Sequence, residues 1–165
     1  MTQPTQALRE PAHRVEARAK TLWRIPPLAI GIPVTLIALL VALAAPEARW
    51  PAALVTVAAL LTTLFFAVVV PAWRYRFHRW EVTPDAIYTQ AGWFTRESVI
   101  IPVARIQVVD TEAGPLEQLL RLATLTVTTA SSAGMIKIVG LDAEGAKQIA
   151  ADLTTATQAH PGDAT

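Results

Sequence analysis

Few side chains in this sequence have the types and spacing that acid–base, nucleophilic or metal chemistry requires. The chain has no cysteine, which excludes disulfides, thiolate nucleophiles and cysteine-ligated metal sites. Asp110 and Glu112 alternate near the end of an extended stretch, but two carboxylates before a Gly-Pro pair more often shape a turn. The three histidines stand far apart and form no metal-binding or catalytic pattern: His13, His78 and His160. The sequence therefore predicts no catalytic residue, no metal site, no cofactor and no enzymatic activity.

The distribution of charge argues against a nucleic-acid partner. The formal net charge is +1, but residues 71–165 carry eight basic side chains against ten acidic ones. Phosphate contacts require a concentrated positive surface, which this part of the chain lacks. Its glycines are also scattered singly, so that no phosphate-binding loop is present.

Two long apolar runs determine where the rest of the chain is held. The chain is 53% hydrophobic and 16% charged, whereas about 25% of residues are charged in a typical soluble domain. The apolar excess lies in residues 27–45 and 52–70, two charge-free runs of 19 residues each. A helix of that length covers roughly the 30 Å hydrocarbon core of a bilayer. We therefore predict a two-helix transmembrane hairpin over residues 21–72.

The orientation of this hairpin follows from the basic residues around it. Residues 1–26 contain five basic and two acidic side chains, and Arg74, Arg76 and Arg79 follow the second run, whereas the loop contains only Arg49. Because Lys and Arg favour the cytoplasmic side, we expect a two-pass inner-membrane protein with both termini in the cytoplasm. The alternative is that the first run is a secretory signal with a cleavage site near residues 42–44; the C-terminal part would still be cytoplasmic.

Aromatic and basic side chains cluster at the predicted span ends, where they would anchor the chain at the membrane interface. Generic attraction to anionic lipid is the favoured explanation of the arginines; the alternative is that Arg74, Arg76 and Arg79 recognise a particular phosphoinositide-like headgroup. The predicted interface residues are Trp23, Arg24, Trp50, Trp73, Arg74, Arg76, Arg79 and Trp80.

The remainder, residues 73–157, reads as a small domain. Aromatic and basic residues alternate over residues 73–78, which predicts a first strand beside the membrane. Five further short strands are predicted at residues 86–91, 97–101, 106–110, 125–130 and 135–139. A helix over residues 143–157 should cover the sheet. Residues 1–20 and 158–165 are expected to be disordered.

Four motifs in this region have a distinctive order and spacing: residues 80–87 followed by Gly92 and Arg96, residues 101–109, Gly114-Pro115-Leu116-Glu117 and residues 122–130. They resemble the bacterial pleckstrin-homology-like family of YdbS-like membrane proteins. The resemblance covers roughly residues 20–157. It implies a two-helix transmembrane hairpin followed by an α+β domain, whose bent antiparallel sheet forms a partly open barrel capped by a C-terminal helix. Arg121 departs from the pattern, because the family often has a small residue there, frequently glycine.

We therefore expect a membrane-anchored scaffold that holds an interaction domain against the bilayer. Its partners would be the lipid bilayer, a membrane or cytoplasmic protein and a second copy of the chain. The alternatives are an accessory subunit of an envelope transport or export complex and an enzyme acting on lipid. Loops at residues 92–96 and 131–134 are the expected contact surfaces, together with Arg96, Arg105 and Gln107. An ion pair of Arg105 with Asp110 or Glu112 is the favoured structural interpretation of that arginine.

Overall fold

The computed structural model describes residues 10–92, 95–129 and 134–159, and these form two compact units. The first unit is a helical hairpin of residues 20–74. The second, called the domain below, combines the N-terminal segment (residues 10–19) with the described chain from residue 75 onwards. The first nine residues and residues 93–94, 130–133 and 160–165 lie outside the described residues. The sequence predicts disorder over residues 158–165, but residues 158 and 159 belong to the last helix, which ends at Ala159.

Two helical stretches build the hairpin. Helix α1 is Ala19–Ala44. The second stretch consists of a 3-10 turn, Pro46–Ala48, helix α2, Arg49–Leu64, a π-helical turn, Phe65–Val69, and helix α3, Val70–Phe77. Ala19–Ala44 and Pro46–Phe77 are both long and apolar enough to cross a membrane.

Helix α3 corrects the strand that the sequence predicted over residues 73–78. The alternation of aromatic and basic residues has the period of a strand, but the helix that precedes it continues through Phe77. Pro71 does not end this helix, although a proline lacks an N–H and crowds the carbonyl four residues earlier. The wider π-helical turn directly before it, where the Val70 N–H donates to the Phe65 carbonyl, relieves that crowding.

Small residues face one another inside the hairpin. Gly31 of α1 lies against the side chain of Thr63, so closely that a Cβ atom at residue 31 would overlap it. Ala38, Ala42 and Ala67 are also buried. The hydroxyl of Thr63 donates to its own helix, at the Ala59 carbonyl, and those of Thr35 and Thr56 do the same at Gly31 and Ala52. Close approach of backbones and internally satisfied hydroxyls are typical of helices packed in lipid.

The domain contains two antiparallel sheets. The first has the order β1-β2-β3-β4, with His13–Arg14, Arg79–Val82, Ala86–Gly92 and Arg96–Pro102. The second has the order β5-β6-β7, with Ile106–Glu112, Leu122–Thr129 and Met135–Asp142. A 3-10 turn, Val103–Arg105, connects the sheets, and helix α4, Pro115–Leu119, connects β5 to β6. Among the described residues no strand pairing joins the two sheets, so the barrel is open.

The core lies between these sheets and helix α5, Ala143–Ala159. Its fully buried members include Ile87, Leu125 and Val127 from the strands. Ala146 and Leu153 of α5 are buried against them, on one face of the helix. Asp142 accepts hydrogen bonds from the backbone N–H groups of residues 144 and 145, which stabilises the start of α5 as the sequence predicted.

The N-terminal segment corrects the expectation of disorder over residues 1–20 for its described part, residues 10–20. Its residues 13 and 14 form strand β1, which pairs with β2. Val15 is 4% exposed and Ala19 is fully buried. Sequence reasoning missed this segment because a two-residue strand leaves almost no periodic signal, and its partners lie far along the chain.

Candidate interaction sites

The predicted interface residues of the hairpin lie on the ends of its helices. Trp23 is half-buried and its ring carries the guanidinium of Arg74, whose Cζ is 4.4 Å from the ring centroid. Arg24 is exposed, as are Trp73 and, beside the short loop between the helices, Trp50. A guanidinium over an indole face gains from the negative face of the ring, and desolvation strengthens the interaction. The Arg74–Trp23 contact therefore joins the two ends of the hairpin.

The predicted interface residues of the domain have different surroundings. Arg76 is exposed. Arg79 contacts the N-terminal segment: its Nη1 donates to the Pro11 carbonyl at 3.4 Å and lies 3.6 Å from a Glu10 carboxylate oxygen. Trp80 packs against the hydrophobic core of the domain, with the ring of His13 5.2 Å away. Two side chains expected at the lipid interface thus serve the inner structure of the domain.

The N-terminal segment spans the opening between the two sheets, which we call the β2–β7 seam. On one side, His13 and Arg14 pair with Trp80 and Arg79 of β2. On the other, the Glu16 N–H donates to the Gly140 carbonyl of β7 at 2.9 Å. A cavity of about 190 Å³ continues along the seam, lined by Val15, Thr89, Val99, Ile136 and Ile138 among others.

Gly140 makes the close approach of the N-terminal segment to β7 possible. It has a φ of 84°, and β7 contains one extra residue relative to β6 at this bulge. A Cβ atom at residue 140 would lie 2.7 Å from the Cβ of Ala19 and 3.7 Å from that of Val15. A side chain at this position would therefore displace the N-terminal segment.

Arg18 fixes the end of the N-terminal segment. Its Nη2 donates to Asp142 Oδ1 at 2.7 Å, and its Nη1 donates to the Leu120 carbonyl at 3.1 Å. The hydrogen bond from Arg18, supported by the backbone N–H of Gly145, lowers the pKa of Asp142 below its usual range. Because both side chains of this pair are about 40% exposed, water screens the attraction strongly.

A wider groove lies beside this ion pair. It has a volume of about 780 Å³ and mixes basic and acidic side chains, among them Arg18, Arg121, Lys147, Glu112 and Glu144. Most of these basic side chains are neutralised by ion pairs, since Lys147 pairs with Glu144 at 2.8 Å and Arg18 pairs with Asp142. The groove therefore does not form a concentrated site for an anion.

Arg121 lines this groove, and the backbone conformation at its position explains why a small residue such as glycine was expected there. Arg121 has a φ of 53°, in the left-handed region that glycine adopts without a steric penalty. Its N–H donates to the Gln118 carbonyl, and its own carbonyl accepts from Ala143 at the start of α5. The backbone thus requires a conformation that an arginine adopts only at a cost.

The predicted contact residues fall near the edge strand β5. Arg105 is exposed. The favoured ion pair is wrong: among the described residues neither Asp110 nor Glu112 pairs with Arg105, and Glu112 pairs with Lys137 at 3.3 Å. Gln107 is exposed at a bulge, since residues 106 and 108 pair with consecutive residues of β6. Arg96 begins β4, but its side chain lies outside the described residues, as do residues 93–94 and 131–133 of the two predicted contact loops.

The two carboxylates considered for catalysis do not form a pair that could act on a substrate. Asp110 accepts a hydrogen bond from the Thr111 N–H at 2.8 Å, and Glu112 pairs with Lys137. In the part of the chain that the structure describes, no group of His, Asp and Glu is arranged to hold a metal ion. His78, which follows α3 and precedes β2 in the chain, is buried.

Comparison with known proteins agrees with this architecture. The family model described as Bacterial PH domain matches residues 27–157. The UPF0699 transmembrane protein YdbS of Bacillus subtilis (strain 168) is 28% identical over 136 residues, which are 81% of this chain and 86% of that protein. No solved structure matches. The predicted family and fold class are confirmed: two apolar helices precede antiparallel sheets and a C-terminal helix.

Proposed function

The chain belongs to the bacterial PH domain family, and we propose that it is a membrane-anchored interaction protein. In this proposal its domain binds a protein partner at the cytoplasmic face of the inner membrane. The hairpin fixes the place, and the domain provides the contacts.

The observation that carries this proposal is the direct continuity between the domain and both membrane helices. Helix α1 begins at Ala19, the last residue of the N-terminal segment that the domain buries. Helix α3 ends at Phe77, two residues before β2 begins at Arg79. With so little chain between them, the domain stays within reach of the bilayer, which raises its effective concentration near membrane partners.

The basic residues support the cytoplasmic orientation. Five basic side chains lie within residues 1–26, and Arg74 and Arg76 lie at the end of the second span, whereas the loop between the helices contains Arg49 alone. This asymmetry is the pattern of a protein whose two ends face the cytoplasm.

Strand β5 offers the contact surface with the best physical support. It is an edge strand, so one row of its backbone groups is unpaired by a neighbouring strand. Val108 is 56% exposed on it, beside the exposed Gln107 at the bulge and Arg105 just before the strand. Backbone groups, an apolar side chain and a guanidinium together suit an extended protein segment better than a lipid headgroup.

Purification with native lipids tests the proposal. The full chain, extracted in mild detergent, should retain a protein partner that mass spectrometry identifies. Val108→Glu should reduce the recovered partner at least tenfold. The matched control is Ala151→Glu, which places the same charge on an exposed position of α5 and should leave recovery unchanged.

Other outcomes decide between the functions. Stoichiometric recovery of a protein with many membrane spans would favour an accessory subunit of a transport or export complex. Recovery of lipid alone, or equal loss in both variants, would overturn the proposed protein contact at β5. Protease added outside intact spheroplasts should leave the domain uncut; its cleavage would overturn the cytoplasmic placement.

A further inference from the structure

We propose that the β2–β7 seam is a binding site for an extended peptide and that the N-terminal segment occupies it as a built-in ligand. The expected external ligand is a protein segment that is extended where it pairs with β2 and then turns as residues 17–18 do, where the Ala19 N–H donates to the Glu16 carbonyl. It carries small apolar side chains and an arginine spaced like Val15, Ala19 and Arg18. The inference adds a second contact surface to the proposed function and rests on that function only for the existence of such a partner.

The seam recognises the N-terminal segment through three separate kinds of contact. The backbone of the N-terminal segment pairs with β2 at residues 13 and 14 and reaches β7 through the Glu16 N–H. Val15 and Ala19 are buried over Gly140, where a Cβ atom at residue 140 would displace them. Arg18 reaches Asp142 and the Leu120 carbonyl. Backbone pairing combined with side-chain selection is how sheet edges bind extended peptides.

The contacts that hold the segment are weak enough to exchange. Strand β1 has two residues, whereas β6 and β7, which form the stable part of the second sheet, have eight each. The ion pairs of Arg18 and Arg79 with Asp142 and Glu10 involve partly exposed groups, and such pairs contribute little. Segments with few contacts open far more often than a domain unfolds.

The seam also extends past the part that the segment fills. Strand β7 lies at the edge of its sheet, and the cavity of about 190 Å³ follows it along Met135, Lys137 and Val139. A longer external segment could continue along β7 from the point where Glu16 begins the pairing. An external ligand could thus gain contacts that the N-terminal segment lacks.

A reversible crosslink within the full chain tests the proposal. Residues 14 and 79 are directly opposed across β1 and β2, a spacing within the range of a disulfide. The chain has no native cysteine, so the variant Arg14→Cys/Arg79→Cys/Arg18→Ala contains one defined pair. Oxidation locks the segment in the seam, and reduction releases it in the same folded protein.

The probe is a fluorescent synthetic peptide with the sequence of residues 10–19, measured by anisotropy against this variant in lipid nanodiscs. The reduced protein should bind the peptide at least tenfold more tightly than the oxidised protein. A peptide carrying Arg18→Ala should bind several-fold more weakly, and adding Asp142→Asn to the protein should remove that difference between peptides.

Equal binding to the oxidised and reduced proteins would overturn the proposal, and so would no binding to a reduced protein with native near-ultraviolet circular dichroism. Peptide binding without a protein partner in the purification would overturn the proposed function alone. Recovery of a protein partner without peptide binding to the seam would overturn this site alone.

Discussion

The hairpin and the domain bury opposite kinds of side chain. In the hairpin the buried positions are held by small residues, such as Ala38, Ala42 and Ala67, while large ones such as Leu61 are exposed. In the domain large side chains are fully buried as well, Ile87 and Leu125 among them. Lipid tails solvate leucine as well as another leucine does, so close backbone packing decides the hairpin. In water, removing large apolar surface from solvent decides the domain.

The largest expected effect is a loss of stability on shortening a buried leucine of the domain, which an exposed leucine of the hairpin should not show. Leu125→Ala removes a fully buried side chain from the core and should lower the free energy of unfolding of the domain by about 2–5 kcal/mol. Leu61→Ala, at a position 62% exposed in the hairpin, should change it little. Urea unfolding in detergent, followed by near-ultraviolet circular dichroism, measures both. Similar losses in the two variants would contradict the comparison.

Replacing a glycine by alanine should change stability in opposite directions in the two units. Gly31→Ala places a Cβ atom inside the space of Thr63 and should destabilise the hairpin by about 1–3 kcal/mol. Gly145→Ala in α5 meets only the Asp142 Cβ at an ordinary 3.8 Å, and the better helix former should stabilise the domain by about 0.5–1 kcal/mol. Far-ultraviolet circular dichroism in a detergent titration and in urea measures the two.

A compensating change controls the hairpin result. Thr63→Gly opens the space that the alanine at residue 31 needs, so the double variant should regain most of the lost stability. If it does not, the close contact between Gly31 and Thr63 is not what holds the helices together.

The left-handed turn before β6 should yield a smaller gain. Arg121→Gly replaces an arginine that has a φ of 53° and should raise the free energy of unfolding by about 1 kcal/mol. Arg121→Ala is the control, because it removes the same charge but keeps the unfavourable conformation. Thermal unfolding of the three proteins separates the two causes. Equal gains from glycine and alanine would assign the effect to the side chain.

The smallest effect is a pH dependence at the N-terminal segment. Because Arg18 lowers the pKa of Asp142, this interaction is fully present above the ordinary Asp pKa of about 3.9 and is lost as the pH falls through the lower pKa of the folded state. The exposed pair should contribute less than about 1 kcal/mol. Hydrogen exchange of the Glu16 amide, corrected for intrinsic rates, should accelerate below about pH 4.

Asp142→Asn provides the control for this dependence. It should make the Glu16 amide exchange faster already at neutral pH and flatten the acid response. An unchanged acid response in the variant would assign it to another group.

Local patterns were sufficient to predict much of this fold. The apolar runs located the two candidate spans, since their length and lack of charge are properties of consecutive residues. Period-two stretches located β3, β4, β5 and β7, although the structure extends each by one to three residues. The apolar stripe of Ala146 and Leu153 located α5 and its buried face. In contrast, period two failed at residues 73–77, where the preceding helix continues through the pattern.

Contacts between distant residues decided the rest. The sequence by itself determined a membrane hairpin followed by an antiparallel domain, because solvent preference and periodicity act over a few neighbouring residues. Only the tertiary structure placed Arg18 on Asp142, 124 residues away, turned Trp80 to the core and put Arg121 in a left-handed turn. A side chain's partner depends on which distant strands meet, and its own neighbours in sequence carry no record of that.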